Sequence, residues 1–181
     1  DQLFDRGEWG CEVGIEDAWT WAPGRAVRLQ QQIMADALGF AKQCGLKTCL
    51  GWEVTGNPDD PDVRDDLRRR LEHTLATYPR DYFWIWQSDL GGVGGKETGT
   101  VVDDDIRAAF VYLGADHNLS EAARITKFIR LTHQMLGEYA PQVRLIVSGW
   151  GGDQWMKFTS LYPGLDHVVP EDVIFAALDN I

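Results

Sequence analysis

Two carboxylic acids lie where strand-forming runs finish. Glu53 sits in the run Lys47 to Val54 (KTCLGWEV), and Asp89 follows the run Tyr82 to Gln87 (YFWIWQ). Neighbouring strands lie about 5 Å apart in the hydrogen-bonding direction, so acids closing consecutive strands can face one pocket. Paired carboxylates suit glycoside hydrolysis: one protonates the leaving oxygen while the other attacks the anomeric carbon or activates water. A carboxyl separation near 5.5 Å implies retention of stereochemistry, and a wider gap inversion. Asp153 and Asp179 add acids after later strand-like runs. The plainer alternative is that an acid following a strand caps a helix or pairs with a cation.

The aromatic residues point to the same chemistry. Trp52, Trp86 and Trp150, among eight tryptophans, stand beside these acids. Indole faces stack on the C–H faces of sugar rings, and their N–H groups bond hydroxyls. Side chains alternate along a strand, so if Gln87 and Asp89 look into a pocket, Trp84 and Trp86 look toward covering helices. This parity makes Trp84 a packing residue. Trp52 and Trp150 remain as sugar platforms, with Gln87 as a hydrogen-bonding partner. Residues 1–23 show no periodicity and mix aromatic with acidic residues, as expected of an irregular segment crossing the same rim.

Other motifs carry less. The glycine-rich stretch within 88–103 lacks the phosphate-loop pattern, having Leu90 where Gly is needed and Glu97 where Ser or Thr is needed. It reads as a long loop able to cover a site. Asn118-Leu119-Ser120 matches a glycosylation acceptor, but Ser120 is also a good helix cap. Asp103, Asp104 and Asp105 are explained by a helix start. Cys11, Cys44 and Cys49 lack metal-ligand or redox spacing, and Cys44 and Cys49 read as small buried residues beside a turn. The four histidines are scattered. Neither a metal nor an organic cofactor is expected.

These side chains require a frame. Apolar residues at helical spacing predict helices over 24–43, 62–78 and 120–138, each burying a stripe, with a shorter helix around 154–161. Between them lie near-continuous apolar runs, 47–54, 82–87, 143–148 and 173–178, as expected of parallel strands covered on both faces. Strand and helix alternate as in right-handed βαβ units. No strand ends in a dinucleotide-binding glycine turn, whereas several end in functional residues, which favours a closed barrel with its site at the strands' C-terminal ends. The expected fold is α/β, a partial (β/α)8 TIM barrel of about four strand-helix units forming a single domain over 1–181. A complete barrel typically takes about 250 residues, so the remainder is expected outside these residues or from another subunit. Asp1 and the last residues look like cut ends.

A formal net charge of −11 disfavours a phosphate backbone as partner, so no nucleic acid is expected. No apolar stretch approaches the roughly 20 residues of a membrane helix, so no membrane partner is expected either. Arg68, Arg69 and Arg70 stand among Asp65, Asp66 and Glu72 and read as a solvated face of paired side chains. At a strand ending in Trp52-Glu53, a helix start Asn57-Pro58-x-x-Pro61-x-Val63, and a strand Tyr82 to Ser88 followed by Asp89, the chain resembles the (β/α)-barrel glycoside hydrolases. The resemblance is to the bacterial α-glucuronidase-like group and spans about residues 45–179. It implies a polysaccharide-degrading hydrolase with Asp89 at the acid or base position and a carbohydrate substrate, secreted or periplasmic. The alternative is a carbohydrate-binding or scaffold domain without catalysis.

Overall fold

A computed structural model describes residues 24–87, 99–112, 119–148 and 161–176, the side chains of Ala26, Gln87, Leu161 and Tyr162 excepted. Along the chain run α1 (Arg25–Gln43), β1 (Cys49–Val54), α2 (Pro61–Thr77), β2 (Tyr82–Gln87), α3 (Asp104–Tyr112), α4 (Leu119–Tyr139), β3 (Arg144–Ser148), α5 (Leu161–Val168) and β4 (Ile174–Phe175). The strands form one four-stranded parallel sheet in the order β1-β2-β3-β4. The protein is therefore an α/β fold whose strands follow one another in space as in sequence.

Local chemistry sets the helix ends. At α2 the Asp60 carboxylate accepts the Asp62 N–H at 2.9 Å, and Pro61 occupies the first turn, where a missing N–H costs nothing. Just before it, Asn57 Oδ1 accepts the Asp59 N–H at 3.0 Å and turns the chain off β1. At the end of α1, Gly45 adopts φ 79°, its N–H bonding Lys42 O while Leu46 N–H bonds Ala41 O. That pair of bonds satisfies the last carbonyls and stops the helix where the glycine predicts.

The core lies between the sheet and α2 to α5. Trp52 and Val54 from β1, Phe83 and Ile85 from β2, and Leu145 and Val147 from β3 meet Leu67 and Leu71 of α2. They also share that core with Ile106 and Phe110 of α3, Phe128 and Ile129 of α4, and Leu165 of α5. The alternation of strand side chains puts Gly51, Glu53, Trp84, Trp86, Ile146 and Ser148 on the opposite face.

Several sequence expectations are corrected. Trp84 and Trp86 do not look toward the helices; Phe83 and Ile85 do. The helix 24–43 forms, but its apolar stripe is only half-buried at Val27, Met34, Leu38 and Ala41, Ile33 keeps 51% of its surface, and none of these joins the core. Its polar ties to the rest include Lys42 to Asp81 at 3.0 Å and Gln31 to His73 at 3.4 Å. The short helix expected around 154–161 falls almost wholly outside the described residues, and the described helix that follows is Leu161–Val168. Ser120, expected as the cap of the helix over 120–138, lies within α4 as the second residue of Leu119–Tyr139. Cys44 and Cys49 are free and exposed rather than buried.

Candidate functional site

The C-terminal ends of β1 to β3 bring together a carboxylate and two indoles. Glu53 is in register with Trp86, and Trp86 with Ser148, so the three stand in one row across the sheet on the face turned away from the helix-backed core. One step back along the strands, Gly51, Trp84, Ile146 and Ile174 form the next row. Trp84 Nε1 donates to Ser148 Oγ at 2.9 Å, which turns its ring toward β3. The Trp84 and Trp86 ring centroids lie 5.2 Å apart with planes tilted by 54°. Gly51 has a steric reason: a Cβ there would stand 1.9 Å from the Trp84 carbonyl oxygen.

The expected site residues are distributed as follows. Glu53 is half-buried at the end of β1 and has no ion pair or hydrogen bond among the described residues. Gln87 pairs its backbone with Val54 and closes β2, its side chain lying outside the described residues. Asp89, Trp150, Asp153 and Asp179 also lie outside them. Trp52, read from sequence as a sugar platform, keeps only 5% of its surface and packs edge-on against Phe83 at 4.6 Å between centroids. Its ring faces are thus committed to packing, and the Arg70 guanidinium sits 4.8 Å from its centroid. A groove of about 300 Å³ opens beside it, between the end of β1 and the first half of α2.

Beneath this rim lies a polar framework. Arg124 and Glu121, both buried on the first turns of α4, pair through two guanidinium nitrogens, and Arg124 Nη1 donates to Val54 O at 3.4 Å. Lys127, one turn on, lies 2.9 and 3.2 Å from the two Asp59 carboxylate oxygens and 3.2 Å from Asp103. Asp59 also accepts the Val101 N–H at 2.7 Å, while Thr100 donates to Asn57 Oδ1 at 3.1 Å. The loop after β1 is thereby tied to the segment entering α3. Burial works to raise the Asp59 carboxyl, but the Lys127 ammonium and the Val101 N–H outweigh it and hold the group below its ordinary range.

These framework residues were not singled out from sequence, although a signal existed. Glu121, Arg124, Lys127 and Arg130 recur every three residues within a helix whose buried face is mainly apolar, with Thr126 and Thr132 as its other buried polar residues. A charge at such spacing beside a buried stripe must find a partner. Arg68 and Arg69 behave as their pattern predicts, pairing with Asp65 at 3.2 Å and Asp66 at 3.5 Å on the outer face of α2.

Among the described residues no three His, Cys, Asp or Glu side chains gather as metal ligands, and no helix is long and apolar enough to cross a membrane. The row of Glu53, Trp86 and Ser148 can offer a carboxylate acceptor beside an aromatic surface, an arrangement suited to a hydroxylated ligand. No protein-family model, curated protein or solved structure matches this chain.

Proposed function

We propose that this chain is part of a (β/α) barrel glycoside hydrolase, with a carbohydrate bound across the C-terminal ends of its strands. The observation that carries the reading is the Glu53 carboxylate in register with Trp86 and one row from Trp84, on the sheet face away from the helices. A sequential parallel sheet with α2 to α5 sharing the core on one side supports this reading, in which the other face becomes the barrel interior. In this reading Glu53 and Asp89 are the acid pair, and Trp150, Asp153 and Asp179 contribute sugar contacts from neighbouring strand ends; Gln87, in register with Val54 of the core-facing row, is not assigned a contact. The test is release of reducing ends from a panel of polysaccharides. Asp89→Asn and Glu53→Gln should each lower turnover on the order of 10²–10⁴-fold with circular dichroism unchanged. Full activity in Asp89→Asn sinks the assignment.

A second reading, sugar binding without catalysis, has one observation in its favour. Glu53 is the one carboxylate on that sheet face among the described strand residues. Saturable binding of an oligosaccharide with no turnover by the unsubstituted protein would select it.

A further inference from the structure

Trp84 stands on β2 between two unequal neighbours. Its register partner on β1 is Gly51 and on β3 is Ile146, so a side chain rises beside it on one strand and none on the other. An aromatic side chain opposite a glycine can fold over it and cover it. Trp84 does the reverse. Its Nε1 donates to Ser148 Oγ at 2.9 Å, which draws the indole toward β3, and its ring centroid lies 5.2 Å from that of Trp86. Ser148 keeps 5% of its surface, so this bond serves a hydroxyl that water hardly reaches.

The consequence falls on β1. Gly51 keeps part of its surface, and Glu53, the next residue on the same face, has no ion pair or hydrogen bond among the described residues. Side chains settle in staggered wells. Without the Ser148 oxygen, nothing holds the indole on the side where Ile146 stands, and a well over Gly51 becomes the roomier one.

We infer that Ser148 is a positioning residue: by holding the Trp84 indole on the β3 side, it keeps the sheet face over Gly51 open for one sugar ring. The C–H face of that ring rests on the Trp84 and Trp86 indoles, and a hydroxyl donates to Glu53 at the strand end. Ser148 acts through Trp84 and need not touch the sugar. The assignment rests on the carbohydrate reading of this strand end and adds what keeps the site open.

The test is calorimetric titration of the full chain with xylotetraose and with cellotetraose, repeated for Ser148→Ala, Trp84→Phe and the double variant. One or both probes should bind with a dissociation constant on the order of 0.1–1 mM, and Ser148→Ala should weaken that binding about tenfold. Trp84→Phe keeps an aromatic face but has no N–H to be held, so it should bind about as weakly as Ser148→Ala. Adding Ser148→Ala to it should change affinity less than about twofold, since a residue acting through Trp84 has nothing left to act on. A merely structural Ser148 gives another pattern, a lower melting temperature in Ser148→Ala with affinity unchanged. That pattern, an equal further loss in the double variant, or failure of both probes to bind overturns the inference. Release of reducing ends with a KM that Ser148→Ala leaves unmoved removes the positioning role and keeps the hydrolase. Binding that weakens in Ser148→Ala, with no reducing ends released by the unsubstituted chain, removes the hydrolase and keeps the positioning role.

Discussion

At the scale of single residues, the site depends on a missing side chain as much as on those present. Position 51 lies on the same sheet face as Glu53 and opposite Trp84 in register. A Cβ there would meet the Trp84 carbonyl oxygen at 1.9 Å and its carbonyl carbon at 2.6 Å, both backbone atoms that move only if β2 moves. Gly51→Ala should therefore cost about 1–3 kcal/mol, the usual penalty of overpacking. It should also alter tryptophan fluorescence, because Trp84 and its bond to Ser148 Oγ shift with the strand. Urea denaturation checks the first effect, and an unchanged midpoint would show that the strands adjust freely. Trp52 shows the limit of reading one residue: its place beside an acid suggests a ligand surface, whereas its contact with Phe83 commits it to the core.

At the scale of elements, α4 joins the sheet to the rim. Its apolar residues Phe128, Ile129 and Leu136 fill the core, while Arg124 and Lys127 hold the end of β1 and the loop that follows. A buried ion pair contributes little beyond a well-packed apolar pair, yet removing one partner strands the other charge. Arg124→Met should thus destabilise by about 3–5 kcal/mol, and Glu121→Gln combined with it should recover part of that loss. Thermal melts of the single and double variants test this, and a double variant as unstable as the sum of its parts argues against the pairing. The elements themselves were largely legible in the sequence. Periodicity predicts α2 over 62–78 against the observed Pro61–Thr77, α4 over 120–138 against Leu119–Tyr139, and β2 over 82–87 as observed. Helical and strand periodicities are local properties, and so are the cap at Asp60 and the stop at Gly45.

At the scale of the whole molecule, three aspartates join separate elements and share one electrostatic sign. Asp81, where β2 begins, accepts the Thr48 N–H and pairs with Lys42 and Lys47, tying α1 to the sheet. Asp59 ties the loop after β1 to α4, and Asp105 ties α3 to Arg130 of α4. The Thr48 N–H and Lys42 hold Asp81 far below the ordinary carboxylate range, and Arg130 holds Asp105 below it, as Lys127 and Val101 do for Asp59. A carboxyl whose folded value is depressed stabilises the fold above its unfolded value of about 3.9, and that contribution disappears as pH falls through the folded value. The melting temperature should accordingly fall from about pH 4 downward. A profile flat from neutral to strongly acid pH would show that these ties contribute nothing.

The amino-acid sequence by itself determined most element types, the helix α3 excepted, the alternation of parallel strands with helices, the solvated pairing along α2, and Glu53 as an acid at a strand end. Only the tertiary structure decided which faces meet. Tyr82-Phe83-Trp84-Ile85-Trp86 is apolar at every position, so its period of two carries no sign of which side the helices cover. Packing chose Phe83 and Ile85 for the core and thereby set Trp84 and Trp86 beside Glu53. The same reason separates α1 from α4: amphipathic spacing marks an apolar side, but whether that side is covered depends on neighbours distant in sequence. The buried Glu121–Arg124 pair, its tie to Val54 and the groove beside Trp52 belong to that second category, since each requires side chains from separate elements to converge.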